Sequence, residues 1–256
     1  MSLPDRPSAD RFEDLPTQEK DALVLAAQAM HQLAYRYVFP VTICTPAPAG
    51  FTGPVRNGTG SLIRVSDSLY VITAGHVISH LRNERDSGQA VQLRIADLIV
   101  ELDENRFAIH PSVDLALISV TPEEAMVVGT FVTEAVDLGS LSVPPTGAYV
   151  LCAGFPVYLR EKQHRELEYG ALSALLKITT VGDNYWICQF EREQWISSFG
   201  GEIPPPDTAL GGMSGGPVFL VGQIHYPLVG IITEFHSAFE LLRIQSVRSA
   251  IDLILG

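Results

Sequence analysis

From Pro40 onward the chain is a succession of short apolar runs separated by Gly, Pro, Asn and Asp. Runs rich in Val, Ile, Leu and Tyr with this punctuation read as strands. A first series comprises Val41–Thr45, Gly60–Val65, Leu69–Thr73, Val91–Ile95, Arg106–Ile109 and Leu115–Val120. A second comprises Ala148–Ala153, Leu172–Thr180, Tyr185–Phe190, Pro217–Val221, Leu228–Thr233 and Leu241–Gln245. The stretch Thr121–Gly147, with turn signals and Pro144-Pro145, links the two. No regular helix alternates with the strands, so an all-β barrel or sandwich is expected rather than a parallel sheet.

Extended helical spacing is found at the two ends. Residues 1–16 read as a tail. Ala22, Leu25, Ala26, Ala29, Leu33 and Tyr37 then recur at the helical period, with Thr17 as an N-cap. This N-terminal amphipathic helix either packs on its own domain, the commoner arrangement, or offers a docking face to a partner. Val247, Ile251 and Leu255 lie four apart, so a short C-terminal helix capped by Ser246 is expected.

Composition limits the functions open to the chain. Its 256 residues are 46% hydrophobic and 18% charged, as in a globular protein with a substantial core. The net charge of −12 repels phosphate backbones and anionic lipid, so neither nucleic acid nor membrane is an expected partner. Cys44, Cys152 and Cys188 are odd in number and fit no zinc spacing. They read as buried apolar residues and suggest a reducing compartment. The N-terminus lacks the basic start and apolar run of a secretory signal. No stretch approaches the length of a membrane span, and a cytoplasmic location is expected.

Chemistry is concentrated in three places. In Gly211-Gly212-Met213-Ser214-Gly215-Gly216-Pro217 a serine is flanked by glycines and followed at once by a strand. Such a run is either a flexible turn or a bend aiming backbone N–H groups at a developing oxyanion. A hydroxyl needs a base. His76 ends the apolar run Leu69–Thr73 at the small-residue turn Ala74-Gly75, and a short helical turn is expected over Val77-Ile78-Ser79. Asp114 enters the apolar run Leu115–Val120, where a carboxylate is costly unless paired. Histidine is its natural partner, a strand-entry cap the plainer alternative. His76 and His80 are four apart, but no carboxylate completes a zincin-like set, so no metal and no cofactor is expected. His31, His80, His110, His164, His225 and His236 read as surface or packing residues.

Thr73-Ala74-Gly75-His76-Val77, Val113-Asp114-Leu115-Ala116-Leu117 and Gly212-Met213-Ser214-Gly215-Gly216-Pro217 resemble the histidine, aspartate and serine motifs of trypsin/chymotrypsin-like serine peptidases, in that family's order. Gly58-Thr59-Gly60-Ser61 and Val229-Gly230-Ile231-Ile232 are similar to flanking segments of the same family. The resemblance covers about residues 38–250. It implies two six-stranded Greek-key β-barrels, about 38–130 and 145–245, after a tail and helix over 1–37 and before a helix over 246–256. It implies a catalytic triad of His76, Asp114 and Ser214, an oxyanion hole from the N–H groups of Gly212 and Ser214, and protein or peptide substrates. The expected activity is that of a serine endopeptidase working through an acyl-enzyme. The alternative is a latent or inactive fold that binds protein, or an effector protease switched on by a partner.

Two departures refine the resemblance. Met213 stands where secreted digestive members carry an aspartate that pairs with a newly cut N-terminus, so activation by trimming at this site is not expected. Val77 replaces their cysteine after the histidine. Both features resemble the bacterial, disulfide-free branch, similar to the HtrA-like protease domain, with no PDZ domain expected to follow. For the substrate pocket the resemblance points to Thr208, Thr233 and Phe235. A neutral Thr208 disfavours Lys or Arg, adjacent Asp207 reverses that on a one-residue slip, and Phe235 narrows the pocket toward small or medium apolar side chains. The Gly- and Pro-rich loop Phe199–Asp207 either gates that pocket or connects strands.

Overall fold

The computed structural model describes residues 16–34, 36–47, 50–128, 136–137, 143–163, 166–189, 196–197, 208, 210–221 and 227–255. The first part of the chain forms α1 (Thr17–Ala34), β1 (Val38–Ala47), β2 (Gly50–Val65), β3 (Ser68–Thr73), α2 (Gly75–Asp86), β4 (Gln92–Ile95), β5 (Leu98–Val100), β6 (Phe107–Ile109), β7 (Ala116–Val120), α3 (Pro122–Val128) and β8 (Val136–Asp137). The second forms β9 (Tyr149–Gly154), β10 (Arg160–Gln163), β11 (Glu166–Tyr169), β12 (Leu172–Val181), β13 (Tyr185–Gln189), β14 (Ile196–Ser197), β15 (Pro217–Leu220), β16 (Leu228–His236), β17 (Leu241–Ser246) and α4 (Arg248–Leu255). Each strand read from the sequence is present.

The strands assemble into the expected all-β, two-barrel architecture. The second sheet runs β13-β17-β16-β15-β9-β12 and closes through β12–β13 pairing, a six-stranded barrel with β14 added to β12. The first sheet runs β5-β4-β1-β2-β3-β7-β6, with β8 alongside β2. It is an open half-barrel, because β5 and β6 stand at its two ends and do not pair with each other.

Period-two alternation sorts the apolar side chains into three cores. Val71, Ile118 and Val120 fill the first barrel, with Val41, Ile43, Leu93 and Phe107. Val150, Cys152, Val218 and Leu220 fill the second, with Trp186, Ile232 and Ile244. The intervening residues of the same strands, Ile72, Leu117, Leu151, Ala153 and Phe219, turn the other way and meet between the barrels. β3, β7, β9 and β15 are therefore apolar on both faces, and they hold the barrels side by side.

Several elements depart from expectation. The turn expected at 77–79 is a twelve-residue helix, α2, whose Val77, Ile78 and Leu81 are buried. Its charged remainder, Arg82-Asn-Glu-Arg-Asp86, hides that stripe from a reading by apolar density. The linker 121–147 contains α3 and β8. The hairpin β10–β11 and the edge strand β5 were also not expected. In α1 the cap is Pro16, whose carbonyl accepts the N–H groups of Glu19 and Lys20, while Thr17 is already helical. The helix lies against β9, β12 and β14. Val24 packs with Leu175, Tyr149 and Val221, whereas Ala22 and Leu25, placed on its apolar stripe by spacing, are exposed. In α4 the expected cap holds: Ser246 Oγ accepts the N–H of Arg248. Among the described residues, no helix is long and apolar enough to cross a membrane.

Candidate active site

Asp114 leaves a tight bend immediately before β7. His110 shapes that bend, because its Nδ1 accepts the N–H groups of Ser112 and Val113 at 3.1 and 3.2 Å. A residue read as packing or surface is thus a brace for the carboxylate's loop. The Asp114 side chain reaches the N-terminus of α2, whose cap position, Ala74, supplies no side-chain acceptor. Oδ1 accepts the His76 N–H at 2.7 Å, and the Gly75 N–H also points to this carboxylate. An anion there satisfies orphan amides and complements the helix dipole. A Cβ on Gly75 would sit 3.1 Å from Oδ1, so glycine lets the carboxylate approach.

The second carboxylate oxygen meets the imidazole: Asp114 Oδ2 lies 2.8 Å from His76 Nδ1. Burial pushes the Asp114 carboxyl up, but the hydrogen bonds from His76 and Gly75 outweigh it and hold the group below its ordinary value. The carboxylate fixes the proton on Nδ1 and leaves Nε2 free as a base. His80 stands one turn along α2, its ring edge-on to His76 at 6.1 Å between centroids. Partial burial, then the charges of Arg56 and His76, depress its pKa despite Glu84.

Ser214 sits on the turn before β15. Met213 points into the second barrel's core and is 1% exposed, anchoring the turn. Gly212 and Gly215 have φ of 94° and 89°. A Cβ on Gly212 would collide with Asn57 and the Phe155 carbonyl, and one on Gly215 with the Thr59 carbonyl. The Gly211 carbonyl is drawn away by the Val157 N–H at 2.6 Å. Among the described residues, the N–H groups of Gly212 and Ser214 donate to no other group. They remain available to an oxyanion.

Two side chains from the first barrel lash this turn down. Thr59, fully buried, donates from Oγ1 to the Gly212 carbonyl at 2.7 Å and accepts the Phe155 N–H at 3.0 Å. Its own N–H donates to the Ser214 carbonyl at 2.8 Å, and Thr73 Oγ1 donates to its carbonyl at 2.7 Å. Asn57 donates to the Phe155 carbonyl at 2.9 Å. Arg160, from the β10–β11 hairpin, donates to Asn57 Oδ1 at 2.6 Å. The sequence resemblance touched Thr59 only as part of a turn, and nothing local marked Asn57 or Arg160.

The result is a cleft of about 720 Å³ lined by His76, Asp114, Ser214, Leu210, Thr233 and Phe235, among others. The three residues expected to act together thus border one cavity. No hydrogen bond joins His76 to Ser214 in this structure. Of the expected pocket residues, Thr233 and Phe235 line the cleft, whereas half-buried Thr208 does not. Glu234, expected between Thr233 and Phe235 in the substrate-pairing segment, also lines it, as do Arg243 and Gln245, which sequence reasoning missed. Asp207 and the loop 199–207 lie outside the described residues, as do His164 and His225. Among the described residues, no group of three or more His, Cys, Asp or Glu side chains is arranged to hold a metal.

A closed six-stranded barrel beside a half-barrel sheet, with a cleft between them, makes a chymotrypsin-like fold. The chain belongs to the trypsin-like peptidase family: the model described as a trypsin-like peptidase domain matches residues 58–230, well over half of the sequence. Among solved structures it is similar to the thermostable serine protease AL20 from an extremophilic microorganism, at 14% identity and a TM-score of 0.46, covering 85% of this chain and 94% of that one. A Glu endopeptidase in complex with MPD gives 15% identity and a TM-score of 0.49, covering 84% and 88%. The inactivated scabies mite protease paralogue SMIPP-S-I1 gives 14% and 0.47, covering 84% and 92%. No curated protein matches the chain.

Proposed function

We propose that the protein is a serine endopeptidase acting on protein or peptide substrates. In this reading Ser214 Oγ attacks the scissile carbonyl and passes its proton to His76 Nε2. Asp114 keeps the imidazole in the right tautomer and stabilises the imidazolium. The N–H groups of Gly212 and Ser214 receive the charge that develops on the carbonyl oxygen. The imidazolium then protonates the leaving amine. Water, deprotonated by the same histidine, releases the acyl group from Ser214.

The observation that carries this reading is the Asp114–His76 hydrogen bond facing Ser214 within one cleft. The test is covalent labelling by a fluorophosphonate. Wild-type protein is expected to label at Ser214 and to cleave a peptide mixture, and His76→Ala to do neither. A folded wild-type chain that stays unlabelled at every concentration of probe refutes the proposal.

One observation favours a second reading, in which the enzyme rests latent until a partner engages it. The hydrogen bond that would pass the proton from Ser214 to His76 is not formed here. Apo sites do often tighten only around substrate. In this version residues 1–37 dock the target, so their deletion is expected to spare peptide cleavage and abolish target cleavage. Loss of folding on deletion would assign α1 a structural role instead. Buried, unpaired Cys44, Cys152 and Cys188 are consistent with a reducing, cytoplasmic setting for either version.

A further inference from the structure

The cleft carries a positive charge that the Asp114–His76–Ser214 group does not use. On β17, Leu242 and Ile244 are buried in the second barrel, so Arg243 between them projects outward. Its register partner on β16 is Glu234, with a bulge between Ile232 and Glu234 that brings both Thr233 and Glu234 to the cleft. Arg243 is steered rather than loose: its guanidinium carbon stands 4.8 Å from the centroid of the Tyr185 ring.

Among the described residues no salt bridge holds that charge. Arg56, Arg82, Arg85 and Arg106 each hold a carboxylate. Among the described residues Arg243 has no ion pair, and Glu234 beside it is engaged by His236 Nε2 at 3.0 Å. A guanidinium with no ion pair among the described residues, bordering the same cavity as the proposed nucleophile in a chain of net charge −12, is placed to receive an anion. Leu210 and Phe235 line the same cleft and give it apolar surface suited to a side chain's methylene stem.

We propose that Arg243 selects substrates with an acidic side chain, glutamate or aspartate, at the residue whose carbonyl is attacked. The inference rests on Ser214 as nucleophile and on a substrate strand laid along β16. It replaces the purely apolar pocket that Phe235 alone suggests.

The test uses the full chain and peptides identical except for Glu, Gln, Leu or Lys at that residue. The Glu peptide is expected to exceed the Gln peptide about ten- to a hundredfold in kcat/KM, the range of a charge-assisted hydrogen bond. The ratio falls to near one in Arg243→Gln, recovers in part in Arg243→Lys, and turns toward the Lys peptide in Arg243→Glu. Fluorophosphonate labelling of each variant checks that the site remains assembled. A chain that labels at Ser214 yet cuts Leu or Lys peptides as fast as Glu, or keeps its Glu preference without Arg243, overturns the assignment. Should wild type fail to label, the nucleophile reading falls instead, and titration calorimetry on Ser214→Ala decides Arg243 separately. Product peptides ending in Glu are expected to bind more tightly than those ending in Gln, and equal binding refutes the proposal.

Discussion

Asp114 meets two structural demands at once, closing the open end of α2 and orienting the imidazole of His76. Asp114→Asn keeps its shape but lets the amide donate where the carboxylate accepted. A fall in kcat of about 10⁴-fold is expected, as for a triad held in the wrong tautomer. The carboxyl is held below its ordinary value, so its contribution to stability is full above the unfolded carboxylate range of about 4. That contribution disappears as pH falls through the lower folded value. Urea unfolding of wild type and Asp114→Asn should therefore differ at neutral pH and converge in acid. Thr59 makes the second residue-scale prediction. Thr59→Val keeps the volume but strands the buried Gly212 carbonyl and Phe155 N–H, at a cost of about 1–3 kcal/mol. Denaturant unfolding measures that cost, and the labelling rate at Ser214 is expected to fall with it. The motifs made His76, Asp114 and Ser214 legible because each sits in a short stretch with its own chemistry. Thr59 was not legible as a bracket, because its partners Phe155 and Gly212 lie 96 and 153 residues away.

At the scale of elements, strands revealed themselves where one or both faces are buried, as in β3, β7 and β9. Elements standing on the surface did not. β10–β11, Arg-Glu-Lys-Gln against Glu-Leu-Glu-Tyr, carries too many charges to register as a strand pair, and antiparallel pairing of the two backbones makes it one. Yet this hairpin reaches the site. Tyr169 Oη hydrogen-bonds Thr42 on β1 at 2.5 Å, and Arg160 braces Asn57 beneath the Gly212 turn. Arg160→Met keeps most of the packing stem and removes the brace. The acylation rate is expected to drop, but by less than the 10²–10³-fold that losing an oxyanion donor itself costs. A burst measurement with an active-site titrant reads it. An unchanged burst rate would leave the hairpin with a packing role alone.

Across the whole molecule, the three residues of the proposed triad border one cleft only because the two halves of the fold pack together: His76 and Asp114 belong to the first, and Ser214 to the second. The seam between them is apolar, with Phe219 at 2% exposure against Tyr37, their ring centroids 6.5 Å apart. Phe219→Ala is expected to cost about 3–5 kcal/mol, and activity should be lost at lower urea concentration than in wild type. Parallel loss of tryptophan fluorescence change and activity would show one cooperative unit, and early loss of activity a seam that parts first. The thiols offer a way to watch that happen. Cys44 lies on β1, whereas Cys152 and Cys188 lie inside the second barrel, where burial drives Cys188 up to about 12 and Cys152 well above the usual thiol range. None is fit to react while the walls around it stand. Timed alkylation followed by peptide mapping therefore dates the breach of each half independently, a pair of clocks already wound into the native protein.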